Sequence, residues 1–122
     1  MIVRLKYFLV LSFILVLLTG CTSVGKIRER QPIFDGQSSK NPDVLAGCIA
    51  DKLEAIKMPN IQVRPKTNGF IVSRIDQTIY GPDYAFVIEI EKLSSIRIVA
   101  FSALPFDAGN KMIVDSINSC IR

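Results

Sequence analysis

The chain has 122 residues, a formal net charge of +4, and neither His nor Trp. The absence of His excludes Ser-His-Asp triads, Cys-His dyads and zinc sites built from His clusters. The positive charge does not indicate nucleic-acid binding, because residues 41–122 carry nine basic and nine acidic side chains and are therefore neutral.

The N-terminus has the three parts of an export signal in their usual order. Arg4 and Lys6 make a positive start, and the 12 residues 7–18 that follow carry no charge and are almost all apolar. Such a run is shorter than the roughly 20 residues that a permanent membrane span needs. The small residues Thr19 and Gly20 then lead directly to Cys21.

Leu18-Thr19-Gly20-Cys21 resembles the lipobox of bacterial lipoproteins: Leu, a small residue, Gly or Ala, then Cys. The resemblance implies cleavage between Gly20 and Cys21, a diacylglyceryl group on the Cys21 thiol and an acyl chain on the new amine. Two or three chains make membrane anchoring stable, whereas one does not. The alternatives are an ordinary cleaved signal, or an uncleaved anchor with an incidental Cys.

The resemblance also implies a location in the cell envelope. Thr22 follows Cys21 where inner-membrane lipoproteins of Gram-negative bacteria have Asp. The expectation is therefore a bacterial envelope protein, anchored in the outer membrane and facing the periplasm. We predict a signal peptide over residues 1–20, a lipidated, flexible tether over 21–40 and a single domain over 41–122.

The predicted tether is polar and has no sustained hydrophobic period. Its basic residues Lys26, Arg28 and Arg30 lie either on anionic lipid headgroups or free in solvent. Pro32-Ile33-Phe34 is its apolar patch, which contacts either the domain or a partner.

The domain is predicted to be α+β. Asn41-Pro42 is typical of a helix start, the apolar stripe from Leu45 to Ile56 has helical spacing, and Pro59 ends the helix. The apolar period then changes to two, which predicts an antiparallel meander of three to four strands. Its segments are 61–63, 70–75, 84–91 and 96–101, with a turn at 65–69. A closing helix follows Asp107, and both helices are expected to cover one face of the sheet.

Cys48 and Cys120 lie on the apolar stripes of the two predicted helices. In an oxidising compartment they are expected to form a disulfide, since Cys21 is used for lipid and an even pair remains. The alternative is two buried free thiols. This arrangement resembles small, mostly uncharacterised proteobacterial lipoproteins with a Cys in the first helix, a β-meander and a Cys near the C-terminus.

Two features are candidate sites. Glu89 and Glu91 share a strand face, which suits acid–base chemistry or a calcium ligand pair and equally suits a solvated strand end. The segment Tyr80-Gly81-Pro82-Asp83-Tyr84 puts two aromatic residues around a tight turn. Tyr80, Pro82 and Tyr84 therefore either form a contact loop or close the edge of the core.

The function that these features predict is a lipid-anchored accessory or binding module that acts through protein contacts. We expect it not to be an enzyme, with no catalytic residue, no metal and no cofactor besides the covalent lipid on Cys21. Its expected partners are membrane lipid and an envelope protein. The alternatives are an inhibitor, immunity or exclusion lipoprotein of the phage or plasmid type, and a small envelope hydrolase that uses Glu89 and Glu91.

Overall fold

The computed structural model describes residues 2–17 and 23–122. Helix α1 spans Ile2–Leu17, within the predicted signal peptide. The lipobox residues, including the predicted cleavage and lipidation site at Gly20 and Cys21, lie outside the described residues. Within the described residues, no helix is both long enough and apolar enough to cross a membrane.

The domain is α+β, as predicted. Its elements are a short helix α2 (Val24–Ile27), strand β1 (Phe34–Ser38), helix α3 (Pro42–Ala55), strands β2 (Ile61–Lys66), β3 (Gly69–Thr78), β4 (Gly81–Lys92) and β5 (Ile96–Ser102), and helix α4 (Asp107–Ile121). The strands form one antiparallel sheet in the order β1-β5-β4-β3-β2. The sheet therefore has five strands instead of the predicted three to four.

The additional strand comes from the segment that we predicted to be a flexible tether. β1 pairs with β5 along its whole length, from Phe34 opposite Ala100 to Ser38 opposite Ile96. Ile33 and Phe34 pack against the core, so the apolar patch of this segment contacts the domain itself. The prediction of a tether over residues 21–40 is wrong for β1, because burial of these two side chains fixes the strand on the sheet.

Both helices cover the same face of the sheet, as predicted. Leu45, Ile49 and Leu53 of α3 are buried against Ile113 and Ile117 of α4 and a row of strand residues. The strand residues of this core are Val72, Phe86, Ile88, Ile90, Ile96, Ile98 and Ala100. We call the opposite side of the sheet the second face; it presents the alternate residues, which include Val87, Glu89, Glu91, Arg97 and Val99.

The strands are longer than predicted: β2 extends to Lys66, β3 spans Gly69–Thr78 and β4 spans Gly81–Lys92. The predicted turn over residues 65–69 is shorter in the structure, because Pro65 and Lys66 belong to β2 and pair with Phe70 and Gly69. Proline is tolerated there since β2 is an edge strand, whose outward amide position needs no hydrogen-bond partner within the sheet.

A register shift between Arg74 and Ile75 changes the pattern of β4. Arg74 pairs with Phe86 whereas Ile75 pairs with Tyr84, so Ala85 is an extra residue in β4. The extra residue moves Tyr84 to the second face, where its hydroxyl oxygen lies 3.2 Å from a guanidinium nitrogen of Arg64. An uninterrupted alternation along β4 would put Tyr84 on the same face as Phe86, and the bulge is the reason that it lies on the opposite face.

Candidate functional site

Cys21, the predicted lipidation residue, lies outside the described residues, and the chain just after it packs on the sheet. Ser23 caps α2 by accepting a hydrogen bond from the Lys26 amide. Ile27 is fully buried, although it belongs to the segment predicted to be flexible. α2 contacts β4 on the second face, where Val87 is also fully buried. The chain is therefore fixed to the sheet within a few residues of Cys21.

An ion pair strengthens this attachment. Arg28 pairs with Glu89, whose side chain is only 14% exposed. A charged group that is largely removed from water needs an opposite charge or hydrogen bonds nearby. Arg28 supplies that charge, so it is bound to the sheet and is not available to lipid headgroups in the way that the sequence alone allowed.

The carboxylates Glu89 and Glu91 share the second face, as the two-residue period predicted, but each has its own cation. Glu91 pairs with Lys66 of the neighbouring hairpin. The hydrogen bond from Lys66 is the largest cause that lowers the pKa of Glu91, and the nearby charges of Lys66, Arg97 and Arg28 act in the same direction. Glu91 is thus a carboxylate at neutral pH and is unsuited to act as a general acid.

A small cleft of about 140 Å³ lies beside this pair, lined by Glu89, Glu91, Arg97, Val99 and Phe101. Arg97 forms a bidentate ion pair with Asp35, with nitrogen–oxygen distances of 3.1 and 2.8 Å. Across the described residues, no group of three or more His, Cys, Asp or Glu side chains is arranged to hold a metal ion. The charges around the cleft are organised as ion pairs between neighbouring elements.

The disulfide joins the two helices. Cys48 of α3 and Cys120 of α4 have their sulfur atoms 2.09 Å apart and their Cα atoms 5.9 Å apart. Lys40 donates a hydrogen bond to the Cys120 carbonyl at 2.7 Å, and the Ser38 hydroxyl donates to the Ile121 carbonyl at 3.4 Å. A lysine at a helix C-terminus satisfies free carbonyl groups and complements the helix dipole. The end of α4 is thereby held by the disulfide and by hydrogen bonds from the last residue of β1 and from Lys40 just after it.

The predicted contact loop divides into two parts. Tyr80, at the tip of the β3–β4 hairpin, is 79% exposed, and its neighbour Ile79 is 92% exposed. Tyr84 is half-buried, with its ring 6.0 Å from the Arg64 guanidinium carbon. Pro82 is exposed and pairs with Gln77. The structure therefore places Tyr80 at the tip and Tyr84 on the second face.

The hairpin tip has a defined shape. The Thr78 hydroxyl donates to the Gly81 carbonyl at 2.7 Å and accepts from the Tyr80 amide at 3.2 Å. Gly81 has φ of +109°, a conformation that other residues rarely adopt. The tip thus presents Ile79 and Tyr80 to solvent on an ordered turn.

Two residues of these surfaces, the buried Ile27 and the exposed Ile79, were not predicted from the sequence. Ile27 follows Val24 at a spacing of three, just after a Ser that suits an N-cap, and this signal of a short helix was available. Ile79 is a β-branched residue between Thr78 and Tyr80. Since β-branched side chains are poor turn formers, its place next to a tight turn was the available signal.

The comparisons with known proteins give no relative on which these surfaces can be placed. The chain matches no protein-family model, no curated protein and no solved structure.

Proposed function

We propose that this protein is a lipid-anchored lipoprotein of the bacterial envelope that acts by binding another envelope protein through the tip of its β3–β4 hairpin. The anchoring part of the proposal rests on Leu18-Thr19-Gly20-Cys21 and on the apolar segment before it. The binding part rests on a single observation, the exposure of Ile79 and Tyr80 side by side on an ordered turn.

An exposed apolar pair costs solubility and contributes nothing to the core, so a contact role accounts for it better than folding does. Tyrosine is common at the centre of protein interfaces, because it buries a large area with few rotatable bonds. The Thr78 hydrogen bonds fix the turn before a partner binds, and therefore reduce the entropy that binding costs.

The test is site-specific photocrosslinking in the native membrane. A photoreactive phenylalanine analogue at Tyr80 or at Ile79 is expected to give the same discrete adduct. The matched control position is Leu93, which is 57% exposed in the turn at the other end of β4. Adducts from all three positions with equal yield, or from none, would overturn the binding part.

A double substitution gives the second arm. Ile79→Ser with Tyr80→Ser is expected to reduce the yield of a crosslink from Pro82 at least tenfold. Because both side chains are exposed, the free energy of unfolding should change by less than about 0.5 kcal/mol. Retention of the adduct in a folded double variant would show that the tip is not the contact.

A further inference from the structure

The distance between the proposed lipid and the folded domain is short. α2 begins at Val24, three residues after Cys21. A backbone spans at most about 3.6 Å per residue, so the Cα atoms of Cys21 and Val24 lie within roughly 11 Å of each other. This bound follows from covalent geometry and holds for any conformation of the intervening residues.

The short helix α2 packs on the sheet, so the sheet is also close to Cys21. Its Ile27 is fully buried, and Arg28 immediately after it pairs with the largely buried Glu89. Glu89 belongs to the second face, together with the fully buried Val87. The element nearest the anchor is therefore attached to the second face, on the side of the sheet away from α3 and α4.

The exposed charges around α2 favour an anionic surface. Lys26 and Arg30 are exposed, and among the described residues neither has an ion-pair partner. Arg64 of β2 is also exposed on the second face. Its guanidinium contacts the hydroxyl and the ring of Tyr84, and it forms no ion pair with any described residue. Glu29 is the one exposed acidic residue between Lys26 and Arg30. The remaining carboxylates of this face are paired with Arg28, Lys66 and Arg97.

We propose that the second face of the sheet lies against the bilayer surface, and that Lys26, Arg30 and Arg64 bind anionic lipid headgroups there. α2 attaches the lipidated N-terminus to the sheet, so the domain has a fixed orientation relative to the bilayer and is not joined to it by a flexible tether. This inference rests on the lipidation of Cys21 given in the proposed function. Electrostatic attraction to an anionic leaflet favours this orientation, because each basic residue near the surface gains from the negative surface potential.

The absence of Trp from the chain allows a direct test by fluorescence. Single tryptophans are placed at Gln37 of β1 and at Gln62 of β2, two exposed positions in register with the second face. The matched control is Asp51→Trp, an exposed position on α3. Each lipidated variant, processed so that it begins at Cys21, is reconstituted in vesicles of phosphatidylethanolamine and phosphatidylglycerol that contain a headgroup-labelled nitroxide lipid.

The expected result is at least threefold stronger quenching of the tryptophans at positions 37 and 62 than of the one at position 51. Equal quenching at all three positions would overturn the inference. Intact mass measured on each sample separates the two proposals. An unlipidated Cys21 refutes the anchoring, whereas equal quenching in a lipidated sample refutes only the orientation.

Two sets of substitutions test the causes. Ile27→Asp is expected to release α2 and make the quenching at the three positions equal. Lys26→Gln with Arg30→Gln and Arg64→Gln is expected to remove the dependence on phosphatidylglycerol and to leave the fold intact. Lys52→Gln with Lys57→Gln and Lys111→Gln, on exposed positions of the helical side, is the charge-matched control and should retain the wild-type dependence. Equal loss in both triple variants would show that net charge alone, and not this face, attracts the lipid.

Discussion

At the scale of single residues, three carboxyl groups are held charged by their neighbours. The pKa of Asp35 is lowered chiefly by a hydrogen bond from Arg97, that of Asp76 by one from Asn60, and that of Glu91 by one from Lys66. Each folded-state pKa therefore lies below its unfolded value, so the folded state binds fewer protons than the unfolded state between the two values. The resulting stability is present above about pH 4 and is lost as pH falls through the folded-state pKa.

The first prediction follows from this sign. The free energy of unfolding is expected to change little from pH 7 to pH 5 through these three groups and to fall below about pH 4. Lys66→Gln removes the main cause of the Glu91 shift and should make that fall shallower, whereas Lys52→Gln on α3 should not. Urea titrations at intervals of half a pH unit measure the slope; an equal slope in wild type and Lys66→Gln would contradict the assignment.

Two glycines give opposite expectations for the same substitution. A Cβ at Gly69 would overlap the carbonyl group of Ile90 in the neighbouring strand, whereas a Cβ at Gly47 in α3 would meet no atom within 4 Å. Gly69→Ala is therefore expected to destabilise the protein by about 2 kcal/mol. Gly47→Ala should stabilise it by about 0.5–1 kcal/mol, since alanine favours a helix interior. Denaturant titration of both variants measures the two changes in unfolding free energy. A loss of stability in Gly47→Ala as well would contradict the expectation that alanine is favourable at this open helix position.

At the scale of elements, α2 and β1 differ most from what the sequence indicated. Both are short and lie in a polar segment with no repeating period, so amphipathicity does not predict them, and the one local signal for α2 is Ser23 ahead of Val24 and Ile27. They are held in place by single apolar side chains that pack on the sheet, Ile27 on the second face and Phe34 against the core. Tertiary contacts of this kind are not visible in a local pattern.

The attachment of α2 gives a prediction at this scale. Ile27→Ala removes most of a fully buried side chain and is expected to cost about 2 kcal/mol of unfolding free energy. Lys26→Ala, one residue away and exposed, should cost less than about 0.5 kcal/mol. Equal stability of the two variants would mean that residues 24–27 are a free tether after all.

The disulfide between α3 and α4 gives a further prediction, about thermal stability. The disulfide closes a sequence separation of 72 residues, for which the loop-entropy model gives about 4 kcal/mol. Reduction, or Cys48→Ala with Cys120→Ala, is expected to lower the midpoint of thermal unfolding strongly. The double alanine variant should then be insensitive to reductant; a wild-type midpoint unaffected by reductant would contradict a bridge in the folded protein.

At the scale of the whole molecule, the fold class and the placement of both helices followed from hydrophobic periodicity. The stripe Leu45, Ile49 and Leu53 and the alternation Phe86, Ile88 and Ile90 each require one apolar face, and one layer of helices on one sheet satisfies both. The candidate surfaces were predicted less well from the sequence. The bulge at Ala85 changes the face of Tyr84, and the cations opposite Glu89 and Glu91 come from residues 61 and 25 positions away, Arg28 and Lys66. Such long-range pairing depends on strand register, which periodicity alone does not fix.

The proposed membrane anchoring, and the orientation of the sheet that rests on it, depend on lipidation of Cys21. The deciding measurement is intact and peptide mass spectrometry of the full protein, extracted from its native membrane without reductant. We predict a chain that begins at Cys21 with diacylglyceryl and acyl groups attached, and a single linked peptide that contains Cys48 and Cys120. A chain that retains residues 1–20, with an unmodified Cys21 and two alkylatable thiols at positions 48 and 120, would contradict it.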